Sequence, residues 1–100
     1  MNINYSKDFS NSVNKLSGQY KNSVINMIKE VKQAASIEDI TDCKKLKDFQ
    51  NIYRIRIGSF RALFLLRVID NTVFFEYLVS RGEAYSKEYE RKLRGKDKAL

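Results

Sequence analysis

The chain has no histidine and a single cysteine among its 100 residues. Those absences exclude a Ser-His-Asp triad, a Cys-His dyad and zinc-finger ligand spacing. One cysteine cannot form an internal disulfide, and nothing else points to an oxidising compartment. Cys43, between Asp42 and Lys44, reads as a buried or half-buried thiol rather than a nucleophile. Proline is absent as well, so none interrupts a predicted helix or strand. The longest apolar run, Ala62 to Leu66, is far too short to cross a bilayer. Met1 to Phe9 is polar and lacks the apolar core of a signal peptide. The expectation is a cytoplasmic protein with no membrane partner.

What remains is ordinary in bulk and uneven in charge. Hydrophobic residues make up 43% and aromatics 12%, enough for one folded domain over residues 1–100 with a real core. The formal net charge is +7, which favours an anionic partner such as nucleic acid, an acidic protein or an anionic surface. Residues 1–43 balance five lysines against five acids, whereas residues 44–100 carry fourteen bases and seven acids. A binding surface is therefore expected in the second part, although the basic stretch Lys92 to Lys98 also reads as a solvated tail.

Ile3 and Tyr5 alternate with asparagines, as in a short strand. Ser6 can cap a helix, with Asp8 well placed in its first turn. Phe9, Val13 and Leu16 recur at helical spacing, closed by Ser17-Gly18. A second helix is predicted from about Gln19 to Ala35, with Tyr20, Val24, Met27 or Ile28, and Val31 on its core face, giving an antiparallel helical hairpin. Ser36 to Phe49 reads as irregular, anchored by Ile37, Ile40 and Leu46. The period then becomes two: strands Ile52 to Ile57, Phe60 to Ile69 and Thr72 to Ser80, joined by turns at Gly58-Ser59 and Asp70-Asn71. Glu83 to Leu93 completes the chain as a helix. The fold class is α+β: a short strand and a helical hairpin packed on an antiparallel sheet, in the order β-α-α-β-β-β-α.

Two-residue turns fix a register. Ile57 then faces Phe60 and Ile69 faces Thr72. One sheet face becomes wholly apolar (Ile55, Ala62 and Val79; Tyr53, Phe64 and Tyr77; Leu66 and Phe75) and should pack on the helices. The opposite face carries Arg56, Arg61 and Ser80 in one row and Arg54, Leu63 and Leu78 in the next. Arg56 and Arg61 would be cross-strand neighbours, an unfavourable pairing of like charges. With Arg81 at the same end, they form a plausible phosphate cradle. The alternative is pairing of these arginines with Asp or Glu on the helices; among local acids only Glu76 shares this face.

Such a site could bind phosphate or cleave RNA. Cleavage through the RNA 2′-hydroxyl needs a base, charge stabilisation at phosphorus and a proton for the leaving oxygen. Arginine stays protonated and is a poor base. Tyr85, Lys45 and Lys47 are the available proton-transfer groups, and composition alone favours binding over catalysis. Tyr85 and Tyr89, four apart on the predicted helix, are by default packing residues.

The run C-K-K-L-K-D-F-Q-N-I-Y-R-I-R-I-G-S-F-R, followed by a hydrophobic strand pair and S-R-G-E-A-Y, strongly resembles the RelE/ParE toxin superfamily of type II toxin–antitoxin systems. The element order agrees as well. The resemblance implies a RelE-like fold and a ribosome-dependent endoribonuclease that cuts mRNA in the A site and so stops translation. Partners would be a cognate antitoxin, the ribosome and mRNA; no cofactor is implied. Carried over by residue, Arg61 would stabilise the scissile phosphate, Arg81 would end the last strand and Tyr85 would follow it. Lys45 and Lys47 would complete the catalytic set, while Lys44, Arg54 and Arg56 would contact RNA. Many relatives carry histidine where this chain has Ser80, so a histidine mechanism is excluded. ParE-type members share the fold and inhibit DNA gyrase, which makes a gyrase inhibitor one alternative; a non-catalytic module binding RNA or acidic protein is another.

Overall fold

The computed structural model describes residues 1–98. Strand β1 (Asn2–Tyr5) runs into helix α1 (Lys7–Asn14) through Ser6, whose side-chain oxygen accepts the Phe9 N–H at 3.0 Å. Asp8 lies in the first turn, where a negative charge suits the helix dipole. Helix α2 (Gly18–Gln33) follows directly, with Ser17 at its N-cap position but making no side-chain cap bond. It buries Val24, Met27 and Val31 as its apolar spacing predicts, while Tyr20 stays half exposed with its ring edge on Phe60. Three further strands, β3 (Ile52–Ile57), β4 (Phe60–Arg67) and β5 (Thr72–Ser80), precede helix α3 (Lys87–Lys98). No described helix is long and apolar enough to cross a membrane.

The segment read as irregular contains one more strand, β2 (Cys43–Lys45), which pairs antiparallel with β3. Three residues are too few to show alternation. Asp42 and Asp48, both at positive φ, bracket β2 and the turn after it. The sheet order is β1-β5-β4-β3-β2, and β1 runs parallel to β5, so the sheet is mixed rather than wholly antiparallel.

The first hairpin has the expected register, with Ile57 opposite Phe60 and Arg56 opposite Arg61. The second does not. Strand β4 stops at Arg67, and residues 68–70 form a helical turn closed by Arg67 donating to the Asp70 carboxylate. Asn71 adopts the left-handed conformation that a turn there requires (φ 53°). Thr72 therefore faces Arg67 instead of Ile69, and Val68 and Ile69 sit exposed at the tip. A second irregularity separates Leu63 opposite Tyr77 from Phe64 opposite Phe75, leaving Glu76 as the extra residue of a bulge. Beyond it every side chain of β5 changes face. Leu78 turns to the helical hairpin, and Tyr77 and Val79 turn away from it, the reverse of the predicted arrangement.

Two apolar layers result. One lies between the sheet and α1–α2, where Phe9, Phe75, Phe64 and Tyr53 form a chain of rings with centroids 5.0 to 5.8 Å apart. The second lies on the face expected to be an open cradle. There Ile52, Leu63, Leu65, Tyr77 and Val79 are covered by Leu46, Phe49 and Leu93, the last from α3. Helix α3 is fastened by more than Leu93. Asp97 accepts the N–H groups of Gln50 and Asn51 at 3.0 and 2.8 Å, and Lys96 pairs with the buried Glu76 at 3.0 Å. The sheet end near the first hairpin keeps several cations at its surface, whereas Arg67 at the other end is paired with Asp70.

Candidate nucleic-acid interface

The β3–β4 hairpin turns at Gly58, whose φ of 57° suits a residue without Cβ. This tight turn brings Arg61 alongside Arg56. Arg61 is only 7% exposed, and its Nη1 donates to the carbonyls of Gly58 and Phe60, both at 2.9 Å. No buried side-chain nitrogen or oxygen among the described residues lacks a partner. The Nε and Nη2 groups of Arg61, which bond no protein acceptor among those residues, therefore keep access to solvent. One nitrogen of the guanidinium is thus clamped by backbone, while the other two keep some solvent access in an otherwise buried side chain.

Arg54 and Arg56 are steadied by Asp42. Arg54 Nη1 donates to the Asp42 carbonyl at 2.9 Å, and Arg56 pairs with its carboxylate at 3.3 Å. Arg56 is thus paired with a carboxylate, though not with one on a helix. The acid responsible comes from the chain just before β2; Glu76, the one acid assigned to this face, is occupied by Lys96. Strand alternation places Lys44, opposite Arg54, on the same side, and Lys45, opposite Tyr53, on the helical-hairpin side.

Arg81 reaches the same hairpin through its backbone N–H, which donates to the Ser59 carbonyl at 2.9 Å. Ser80 faces Phe60, so the predicted row of Arg56, Arg61 and Ser80 has Val79 in its third place. Ser80 has another task. Its hydroxyl and N–H donate to the Glu83 carboxylate at 2.9 and 3.3 Å, and the Glu83 N–H donates to the Ser80 oxygen at 3.4 Å. This is a reciprocal cap, with the S-x-x-E spacing of a capping box in S-R-G-E. It holds the exposed Arg81 at the end of β5.

Tyr85 lies in a short helical turn (Glu83–Tyr85), not on the same helix as Tyr89; Ser86 separates the two. Tyr85 is 63% exposed and shares a recess of about 260 Å³ with Lys47, Phe49, Glu90 and Arg94. Arg94 lies over the Phe49 ring at 4.8 Å and donates to Glu90 at 2.9 Å. Tyr89 instead packs edge-on against Tyr77, and burial pushes its hydroxyl pKa up. The Cys43 thiol is likewise pushed up, to about 11, by burial that outweighs the neighbouring Arg54 charge. It is a packed thiol and stays protonated at neutral pH.

No protein-family model matches the chain. Among curated proteins, it is 28% identical over 86 residues to toxin RelE3 of Methanocaldococcus jannaschii, an alignment covering 85% of this chain and 96% of the relative. Among solved structures it resembles the toxin chain of the RelB–RelE antitoxin–toxin complex from Methanococcus jannaschii, with a TM-score of 0.68, 25% identity and coverage of 83% and 95% of the two chains. The archaeal RelE–RelB complex from Pyrococcus horikoshii shares the fold at a TM-score of 0.69, with 17% identity and coverage of 81% and 94%.

Proposed function

The chain is similar in sequence and in fold to the RelE-type toxins of the RelE/ParE superfamily, and from that premise we propose that it is the toxin of a type II toxin–antitoxin pair and cleaves mRNA on the ribosome. Its relatives were solved in complexes with RelB antitoxins; a cognate antitoxin that masks the cationic hairpin end is the corresponding partner here.

The half-clamped Arg61 carries the reading. Attack of an RNA 2′-hydroxyl on phosphorus builds negative charge on the non-bridging oxygens. A guanidinium already fixed by two carbonyls loses little side-chain freedom on meeting that charge. Arg81 is anchored to the turn of the same hairpin and supplies a second cation to the phosphate. Lys44, Arg54 and Arg56 extend the cationic surface along β2 and β3 and hold flanking phosphates. Tyr85 and Lys47, in a common recess beside α3, are the groups for proton transfer. Lys45, on the other side of the sheet edge, contributes charge at longer range.

The test is to express the protein in a translating extract and map mRNA 5′ ends. Cuts within the reading frame are expected, with Arg61→Ala slower by about 10²- to 10³-fold, the usual loss when one transition-state donor is removed. Intact mRNA together with poisoned gyrase would sink the reading in favour of a ParE-type activity. RNA binding without cleavage would leave a binding module.

A further inference from the structure

The outer face of α3 is a cationic stripe of four residues, of which only Arg94 is engaged by the fold and by the recess holding Tyr85. Lys87, Arg91, Arg94 and Lys98 fall within about 60° of one another at about 100° per residue, along about 16 Å of helix. All four are exposed, and Leu93 and Tyr89 are on the opposite, sheet-facing side. The acids of α3 are already occupied: Glu88 by Lys92 at 3.2 Å, Glu90 by Arg94 at 2.9 Å, and Asp97 by the Gln50 and Asn51 amides. Lys87, Arg91 and Lys98 form no ion pair among the described residues. Their arrangement works against the helix. Lys87 and Arg91, like Arg94 and Lys98, are like charges four residues apart, and Lys87 stands at the positive end of the helix dipole.

We infer that this stripe docks on the phosphate backbone of structured, double-helical RNA. A row of cations along one face of a helix can follow the phosphates of a duplex, a contact set by charge rather than by sequence. Arg94 joins the stripe to the recess holding Tyr85, so a duplex held here lies beside a single strand presented to the hairpin end. Docking is separable from cutting and does not depend on it.

The probe is a blunt RNA duplex of roughly 16 base pairs, the reach of a typical double-strand reader, titrated with the full chain by fluorescence anisotropy over a salt series. Lys87→Gln/Arg91→Gln should bind roughly tenfold more weakly near 0.1 M salt, with the log–log salt slope shallower by about 1 to 2, since each phosphate contact contributes about 0.9 for B-form DNA. Thermal melting should be unchanged or raised. Should the double variant fail to fold, Arg91→Gln alone should lower the slope by about 1. Equal slopes for variant and wild type overturn the inference. So does an unchanged duplex affinity with lost binding to poly-glutamate, which would make the stripe a seat for acidic protein. Cleavage of ribosome-bound mRNA at saturating protein should not change in the variant. If the wild type cuts nothing, the proposed function fails while the duplex titration still decides this one.

Discussion

Arg61 and Arg81 reach one hairpin by opposite means. Arg61 is buried, and its own turn's carbonyls hold it; Arg81 is exposed and is placed by its backbone. The first should tolerate no change of shape. Arg61→Lys keeps the charge but cannot span two carbonyls while presenting a second edge, so it should recover little of the cleavage lost in Arg61→Ala when mRNA ends are mapped. Cys43 gives a prediction free of any functional reading. Its thiol pKa is raised in the fold, to about 11 from 9.0. An acid raised by folding binds its proton more tightly in the native state, so this contribution to stability is complete below pH 9 and is lost as pH rises towards 11. Alkylation by iodoacetamide should be slow at pH 8 and accelerate with a midpoint near 11 in the native protein. A midpoint near 9 would show the thiol to be exposed.

Individual elements show where the sequence was legible. Strand β3, the Gly58-Ser59 turn, the bounds of β5 and the Ser6 cap are written in local signals, namely a period of two, a glycine and a hydroxyl before a helix. The bulge at Glu76 has no such signal, because apolar residues on both sides of it let either parity look sensible. That one residue moved Tyr77 and Val79 to the α3 face and hid how much of it is core. The residue types proposed for the site could be picked out from the sequence, as could the S-x-x-E spacing by which Glu83 supports Arg81. The support from Asp42 acts through geometry that appears only once the chain has folded. Ser80→Ala removes one half of a reciprocal cap and should destabilise the protein by about 1 kcal/mol, loosening the Arg81 turn; faster amide exchange at Arg81 and Gly82 is the measurement. Leu93→Ala, at 1% exposure the buried anchor of α3, should cost about 2–4 kcal/mol by chemical denaturation. A loss below about 1 kcal/mol would mean that Asp97 and Lys96 hold the helix unaided.

At the scale of the whole molecule, charge and core are kept apart. Both sheet faces are apolar in the middle, and the excess positive charge belongs to residues 44–100, at one sheet end and along α3. Several cations adjoin others, as in Lys44 beside Arg54 and Arg56 beside Arg61. The ion pairs Arg56–Asp42, Arg67–Asp70 and those within α3 are solvent-exposed and individually weak. Screening should relieve repulsion more than it weakens them. Raising salt from about 0.1 to 0.5 M at neutral pH should lift the melting midpoint, and a fall would show the pairs to dominate.

The placement of β1 bears on timing as well as architecture. Asn2 to Tyr5 pair with Thr72 to Phe75, so one edge of the sheet joins segments about seventy residues apart. Their union closes a large loop and is intrinsically slow. During synthesis the first strand emerges long before its neighbour exists, and α1, which bonds to β5 through Ser6, must wait with it. Arg61 and Arg81 come together only when the first hairpin meets the end of β5, once residue 81 is available. A ribosome making this chain therefore carries an unassembled cation pair through most of translation. A partner that recognises the β5 side has until then to be present.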